Sequence, residues 1–431
     1  MVNVHFITLG CPKNESDTAA MQARIVASDY ELCEDIDQAD VVVVNSCAFI
    51  QSATEESIEV ILETARDWLP NAKNRHILLA GCMPSRYGDE LESAFQEVSA
   101  FLSVVDEHTI CGTIERLTGV ASNASNNPVA PLATAAYAYI KIADGCNKSC
   151  AYCTIPSIRG PYKSKPLQDI IDEVNGLAQQ GVSEFILIAQ DTTEYGSDLS
   201  EDVTLVDVID AVCALDSVKR VRLMYLQPDG VRSELIQAIK RQPKVCHYIE
   251  MPLQHASRSV LGSMNRRGDG DEFKDLIAAI RSELPDVVLR TTVIVGYPGE
   301  TDEDFAQLCS FIEEVEFDYV GIFPYSREEG TSSADLPDQI DEDLKLERYQ
   351  TLRDIADSIG WSKASLLIGQ EVEVLVEGTD DTDVYGRTRG QAPDIDGIVR
   401  LYSNGVNDVT IGSYVQAKIT DAILYDLDGQ I

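Results

Sequence analysis

Cys146, Cys150 and Cys153 lie in the stretch Tyr139-Ile-Lys-Ile-Ala-Asp-Gly-Cys-Asn-Lys-Ser-Cys-Ala-Tyr-Cys153, separated by three and then two residues. Three thiols at that spacing can wrap one face of a compact metal centre. All-cysteine iron–sulfur sites use four thiolates, so a triple leaves one iron open to a substrate or cofactor. A zinc site, or thiols that merely pack, would use the same residues differently.

A second set is less compact. Val4–Leu9, Val41–Val44 and His76–Ala80 read as short apolar strands, the middle one a β-branched run suited to a buried parallel strand. Cys11, Cys47 and Cys82 follow them by one to three residues. In an open parallel sheet the carboxyl ends of the strands line one crevice, so three thiols about 35 residues apart can converge. A lone cysteine is usually a small core residue; three at equivalent positions point to a second three-cysteine centre. Cys33, Cys111, Cys213, Cys246 and Cys309 lack this placement and read as packing residues.

The elements that must position these thiols follow from the rest of the pattern. Residues 1–118 read as a Rossmann-like α/β domain, with helices over Ser16–Val26 and about Ala53–Trp68. Residues 119–136, small, polar and proline-bearing, read as a linker. From Tyr137 strand and helix alternate six times. Strands are expected at Tyr137–Ala143, Glu184–Ala189, Arg220–Tyr225, Val245–Met251, Val287–Val295 and Phe317–Phe323. Helices are expected between them at Gln168–Gln179, Leu205–Leu215, Ser233–Lys240, Asp271–Leu284 and Asp302–Val315. Six βα units imply a partial (β/α)6 barrel with its chemistry at the carboxyl ends. With a charged helical connection from Asp341 to about Leu367, this unit spans 137–366. Residues 367–431 carry three β-rich pieces, Glu371–Glu377, Ile398–Tyr402 and Tyr414–Leu424, and read as a small β-barrel.

The 431 residues carry 72 Asp and Glu against 34 Lys and Arg, a net charge of −38. That disfavours loose, charge-driven binding to nucleic acid and suits a basic partner; the acidic proteome of a salt-adapted organism leaves the same signature. In the terminal barrel Glu371, Glu373, Glu377, Asp380, Asp381 and Asp383 crowd one end, against Arg387, Arg389, Arg400 and Lys418. A solvated acidic surface has the same composition. The start, Met1-Val-Asn-Val-His, lacks the basic region and apolar core of a signal peptide, and no apolar run approaches a membrane span. Eleven cysteines, an odd number, suit a reducing compartment. The expectation is a cytoplasmic protein with no membrane contact.

The triple with Tyr152 before its last cysteine resembles the radical S-adenosylmethionine (SAM) enzymes. The order of parts, an N-terminal cluster domain, a radical domain and a C-terminal TRAM barrel, resembles the methylthiotransferases over nearly the whole chain. Leu9-Gly-Cys-Pro-Lys-Asn14, Ala189-Gln-Asp-Thr-Thr193, Pro252-Leu-Gln-His255 and Ala392-Pro-Asp-Ile-Asp-Gly397 are similar to the branch called RimO, which modifies an aspartate of small-subunit ribosomal protein twelve. The sister branch, acting on isopentenyl-adenosine of transfer RNA, typically reads Gly-Cys-Gln-Met-Asn at the first cysteine.

The resemblance implies two 4Fe–4S clusters, on Cys146, Cys150 and Cys153 and on Cys11, Cys47 and Cys82. It implies SAM as radical source and methyl donor, a sulfur co-substrate, and an electron donor such as flavodoxin or ferredoxin. The reaction would insert sulfur at the β-carbon of the aspartate and cap it with a methyl group. Cofactor-binding candidates are Tyr152, Gln190, Asp191 and Thr192, with Gly296 and Gly299 in a segment similar to the superfamily's adenine contact. A strand-to-helix turn needs the same glycines. His255, Arg266 and Arg267 are substrate-binding candidates; a structural histidine and arginines paired with surface acids are the alternatives. Transfer RNA as the target, or a non-catalytic iron–sulfur scaffold or electron carrier, are the competing functions.

Overall fold

The computed structural model describes residues 1–123, 131–133, 135–379, 384–402 and 409–431. Its N-terminal sheet contains β1 (Asn3–Thr8), β2 (Glu31–Leu32), β3 (Val41–Ser46), β4 (His76–Gly81) and β5 (Val98–Ser103), all parallel, in the order β2-β1-β3-β4-β5. Every residue of β3 is buried, as a central parallel strand covered on both faces requires. In this doubly wound order the chain reverses direction across the sheet between β1 and β3, and ligands bind at such a switch point. Helix α1 (Pro12–Val26) opens with proline, whose fixed φ and missing N–H cost nothing at a first helical position.

The second unit runs β6 (Tyr137–Lys141), a small hairpin of β7 (Ala143–Asp144) with β8 (Lys163–Ser164), then β9 (Glu184–Ile188), β10 (Arg220–Leu223), β11 (Tyr248–Gln254), β12 (Val288–Val295) and β13 (Tyr319–Pro324). The sheets β6-β9-β10 and β11-β12-β13 are parallel throughout, and a bridge between Val221 and Val245 joins them. The six-stranded open barrel is therefore present, with its seam between the third and fourth strands. The fourth strand begins at Tyr248, three residues later than expected from Val245, because Val245 and Cys246 are spent on that bridge and its hydrogen bonds to Val221. One apolar core runs through this unit from Ile140 to Ala356.

The last unit is a closed barrel, β14 (Glu371–Thr379), β15 (Val384–Thr388), β16 (Val399–Tyr402), β17 (Tyr414–Ile423) and β18 (Asp426–Gln430), ordered β14-β15-β16-β18-β17. A helix, Glu342–Ser365, leads into it.

Two of the acids expected to crowd one end of it are paired in the fold. Glu377 binds Arg387, which is 1% exposed and also reaches Glu184; Glu373 binds Arg220 at 3.1 Å; Arg389 donates to the carbonyls of Pro243 and Val245. Asp396 accepts from Tyr248 Oη and Arg290. Glu184, Arg220 and Tyr248 are the first residues of β9, β10 and β11. These charges thus dock the terminal barrel against the amino ends of the parallel strands and are not free for a basic partner. Asp380, Asp381 and Asp383 lie outside the described residues, as do 124–130 and 134 of the linker.

Candidate active site

Cys11, Cys47 and Cys82 stand three, one and one residue beyond β1, β3 and β4. The first two flank the switch point. Gly10, at φ +98°, makes their approach possible: a Cβ there would sit 2.6 Å from Cys47 Cβ. Buried Asn14 laces the strand ends together. Its Nδ2 donates to Ser46 O at 2.9 Å, its carbonyl accepts from Asn45 Nδ2, and its Oδ1 receives the Cys11 thiol at 3.4 Å and the Cys82 thiol at 3.9 Å.

Cys146, Cys150 and Cys153 occupy the loop after β7. The backbone N–H of Cys146 donates to Gly160 O, that of Cys153 to Cys150 O, and Ala151 N–H to Met264 O. Arg266 braces the loop from the far side, donating to Gln227 Oε1 and Pro252 O, both at 2.8 Å, and lying 3.8 Å from Cys150 Sγ. Arg267 is exposed and lines, with Arg266, Lys148, Cys150, Gln227 and Asp229, a cavity of about 340 Å³. A larger cavity of about 600 Å³, lined from Thr193 to Thr204, shares Asp229 but none of the six cysteines.

One side chain joins the two thiol sets. Arg159, at the end of the short helix Ile155–Arg159 that follows Cys153, is 2.9 Å from Asp17 of α1, 3.1 Å from Asp144 and 3.8 Å from Cys82 Sγ. Lys141 binds the same two carboxylates. Burial pushes Asp144 up, but Lys141 and Arg159 outweigh it and hold the carboxyl well below its ordinary range. Burial, then the charge of Asp17, drives Glu107 well above its own range. A neutral Glu107 leaves two cations facing two carboxylates. Arg86–Glu328 at 2.8 Å and Thr154 Oγ1–Phe49 O at 3.0 Å add to the same contact between the first two units. Lys13 lies with its Nζ 3.2 Å from the Tyr225 ring centroid, and burial pulls it down to about 8.

The other candidates divide. Gln190 donates to Asp144 at 3.0 Å while its buried Oε1 has no partner among the described residues; Asp191, 1% exposed, meets Lys148 at 3.2 Å. Thr192 spends its hydroxyl on Met224 O and Ala189 N–H, tying β9 to the segment after β10. Gly296 is required by Lys345, against whose side chain a Cβ would clash, and Gly299, at φ +79°, has open space. Burial pushes the Tyr152 phenol well above its ordinary value, so it stays neutral. His255 is fully buried; its Nδ1 accepts from Ser257 N–H at 2.9 Å, and burial lowers it to about 4. Arg159, Asp17, Lys141, Lys13 and Asn14 had been given no role from sequence. The partners of Asn14 lie on other strands of its own unit and those of the rest reach across units, which no local spacing reveals.

The donor set suits an iron–sulfur centre in each trio. All six thiols are free of disulfides, and each set has one thiol beside an arginine, a cation suited to thiolate charge. Among the described residues no three His, Cys, Asp or Glu side chains close tightly enough to hold one metal ion. Burial raises Cys47 and Cys146 and pushes Cys82 and Cys153 up to about 12, so metal binding at these thiols must release protons.

Comparison with known proteins settles the family. Residues 140–312 match the Radical SAM superfamily, 3–103 the Uncharacterized protein family UPF0004, and 368–431 the TRAM domain. A "Ribosomal protein uS12 methylthiotransferase RimO" of Geobacter sulfurreducens is 41% identical over 442 residues, covering 99% of this chain and 98% of that relative. The relative of the same name from Clostridioides difficile is 40% identical, covering 100% and 99%. This chain belongs to the RimO family. It is a radical SAM methylthiotransferase, an enzyme that uses SAM and iron–sulfur clusters. Among solved structures, the radical SAM methyltransferase TsrM of Kitasatospora setae superposes with a TM-score of 0.56 at 13% identity, covering 77% of this chain and 76% of TsrM. OxsB, a cobalamin-dependent radical SAM enzyme, gives 0.52 at 11%, covering 83% and 58%. At those identities the likeness is of fold. No helix among the described residues of this RimO-family chain is long and apolar enough to cross a membrane.

Proposed function

We propose that this chain methylthiolates the β-carbon of an aspartate in ribosomal protein uS12, with Cys146, Cys150 and Cys153 holding the radical cluster and Cys11, Cys47 and Cys82 holding the second. The observation that carries the reading is the placement of both trios at carboxyl strand ends, one arginine spanning from the segment behind Cys153 to Cys82. When bound, the clusters and SAM supply hydrogen abstraction from a carbon that no side-chain base deprotonates, sulfur insertion and methyl capping.

The chain's own residues bind and orient. Gln190, fixed by Asp144, offers an unused oxygen to the amino group of SAM, with Asp191 beside it; Thr192 and Gly296 position this face through Met224 and Lys345. Arg266 orients the Cys150 loop, and Arg267 stands at the mouth of the adjoining cavity. The buried contact between the first two units keeps Arg159 beside Cys82 and out of water. A flavodoxin or ferredoxin supplies electrons in the cytoplasm, and a sulfur co-substrate replenishes what is transferred.

Reconstituted enzyme incubated separately with uS12 and with transfer RNA tests this. The protein should gain the mass of one sulfur and one methylene group; a gain on the RNA alone would overturn the assignment.

A further inference from the structure

Lys13 is a cation held over an aromatic ring rather than in an ion pair. It is 7% exposed, and among the described residues its Nζ makes no hydrogen bond and no ion pair. Its contact is the face of the Tyr225 ring, 3.2 Å to the centroid. The charged and polar groups around it are Cys11, Arg159, Glu250 and Asp144. Asp144 is committed elsewhere, and Glu250 faces Lys13 by charge without coming within ion-pair distance. Asp144 takes Lys141, Arg159 and Gln190; Glu250 accepts the N–H of Tyr225 and, by charge, faces both Arg290 and Lys13. An ammonium has three donors, and among the described residues none of them is spent on a protein acceptor, so they remain open to a ligand.

Tyr225 is held in place at a backbone cost. Its φ of +61° lies in the left-handed region, where a bulky side chain is strained and which persists only when the surroundings enforce it. Glu250 enforces it through the Tyr225 N–H, and the ring then lies under the ammonium. A cation–π contact holds the cation without using its hydrogen-bond donors. The arrangement presents a fixed positive group between the strand-end cysteines of the first unit and the carboxyl end of β10 in the second.

We infer that Lys13 is a substrate-binding residue, which takes the side-chain carboxylate of the target aspartate by a charge-assisted hydrogen bond. The inference rests on the proposed function. The carboxylate is one bond from the β-carbon, so anchoring it fixes the carbon to be modified. Lys13 lies two residues beyond Cys11, so the anchored group is held beside the first trio. An asparagine substrate would offer a neutral amide to the same ammonium and lose most of the attraction.

The test measures binding of fluorescently labelled uS12, and of uS12 with the target aspartate changed to asparagine, to the full-length reconstituted enzyme. Wild type should bind the aspartate form about tenfold more tightly, the value of one charge-assisted hydrogen bond. Lys13→Met should abolish that preference by weakening the aspartate form alone, and Lys13→Arg should keep part of it. Iron content of Lys13→Met shows whether the neighbouring trio survives; Lys13→Gln serves if it does not. Equal binding of the two forms by wild type, or an undiminished preference in the neutral variants, overturns the role of Lys13 while leaving methylthiolation of uS12 intact. Wild type that neither binds nor modifies uS12 removes the proposed function, and this inference with it.

Discussion

Arg159 Nη2 lies 3.8 Å from Cys82 Sγ, although 77 residues separate them. The guanidinium is 1% exposed at its side chain and meets Asp17, 4% exposed, at 2.9 Å. One arginine thereby ties the loop of the central cysteines to the helix that starts beside Cys11. Removing one partner of a buried ion pair leaves an uncompensated charge and costs roughly 3–5 kcal/mol. Lys141 also binds Asp17, which places Arg159→Met at the lower end, about 3 kcal/mol. Anaerobic urea unfolding checks the value. Arg159→Met with Asp17→Asn should cost less than the sum of the two single changes, because each removes the other's unpaired charge.

Gly10 makes the first trio compact. An alanine there must adopt φ +98° and place its Cβ 2.6 Å from that of Cys47. Either the turn opens or Cys47 moves, so Gly10→Ala should lower iron bound per chain while leaving the iron of the central trio. Iron and sulfide analysis after anaerobic reconstitution reads this directly. Gly119→Ala, where a Cβ meets open space at φ +72°, is the control for backbone strain alone.

The strand ends could be read from sequence because the signal was local. Four consecutive valines mark a buried strand, and a cysteine within three residues of the end of each of three apolar strands repeats the same position. What escaped were features set by distant partners. In Val98–Ser103 the apolar run is only Ala100-Phe101-Leu102, with serines on both sides and no cysteine at its end, so the fifth strand carries a weaker mark. Val384–Thr388 and Asp426–Gln430 mix glycine and charge with few apolar residues, as barrel strands facing water on one side do. Arg159 is one arginine among many until Asp17, 142 positions away, is placed beside it. The pairing of Glu373 and Glu377 escaped for the same reason, since only the fold decides where their arginines lie.

His255 gives stability a pH dependence. Burial lowers it from 6.5 to about 4, so the unfolded chain takes a proton that the folded chain refuses between those values. Its contribution is complete above about pH 6.5 and is lost as pH falls toward 4, amounting to about 3 kcal/mol from the shift. Carboxylates titrate across the same range; Glu300, raised to about 7 by burial, works in the opposite direction. The difference between wild type and His255→Asn isolates the histidine. That difference should shrink between pH 7 and pH 4.5, measured by urea unfolding. A constant difference would mean that the ring titrates normally in the folded protein.

The central claim is that the two cysteine sets are separate ligand sets for two clusters. Iron and sulfide quantification with Mössbauer spectroscopy, on the anaerobically reconstituted protein and its Cys11/Cys47/Cys82 triple-alanine variant, tests it most directly. The account predicts two 4Fe–4S centres in the intact chain and one in the variant, with SAM cleavage under reductant retained. A variant that keeps both centres, or an intact chain that holds only one, would contradict it.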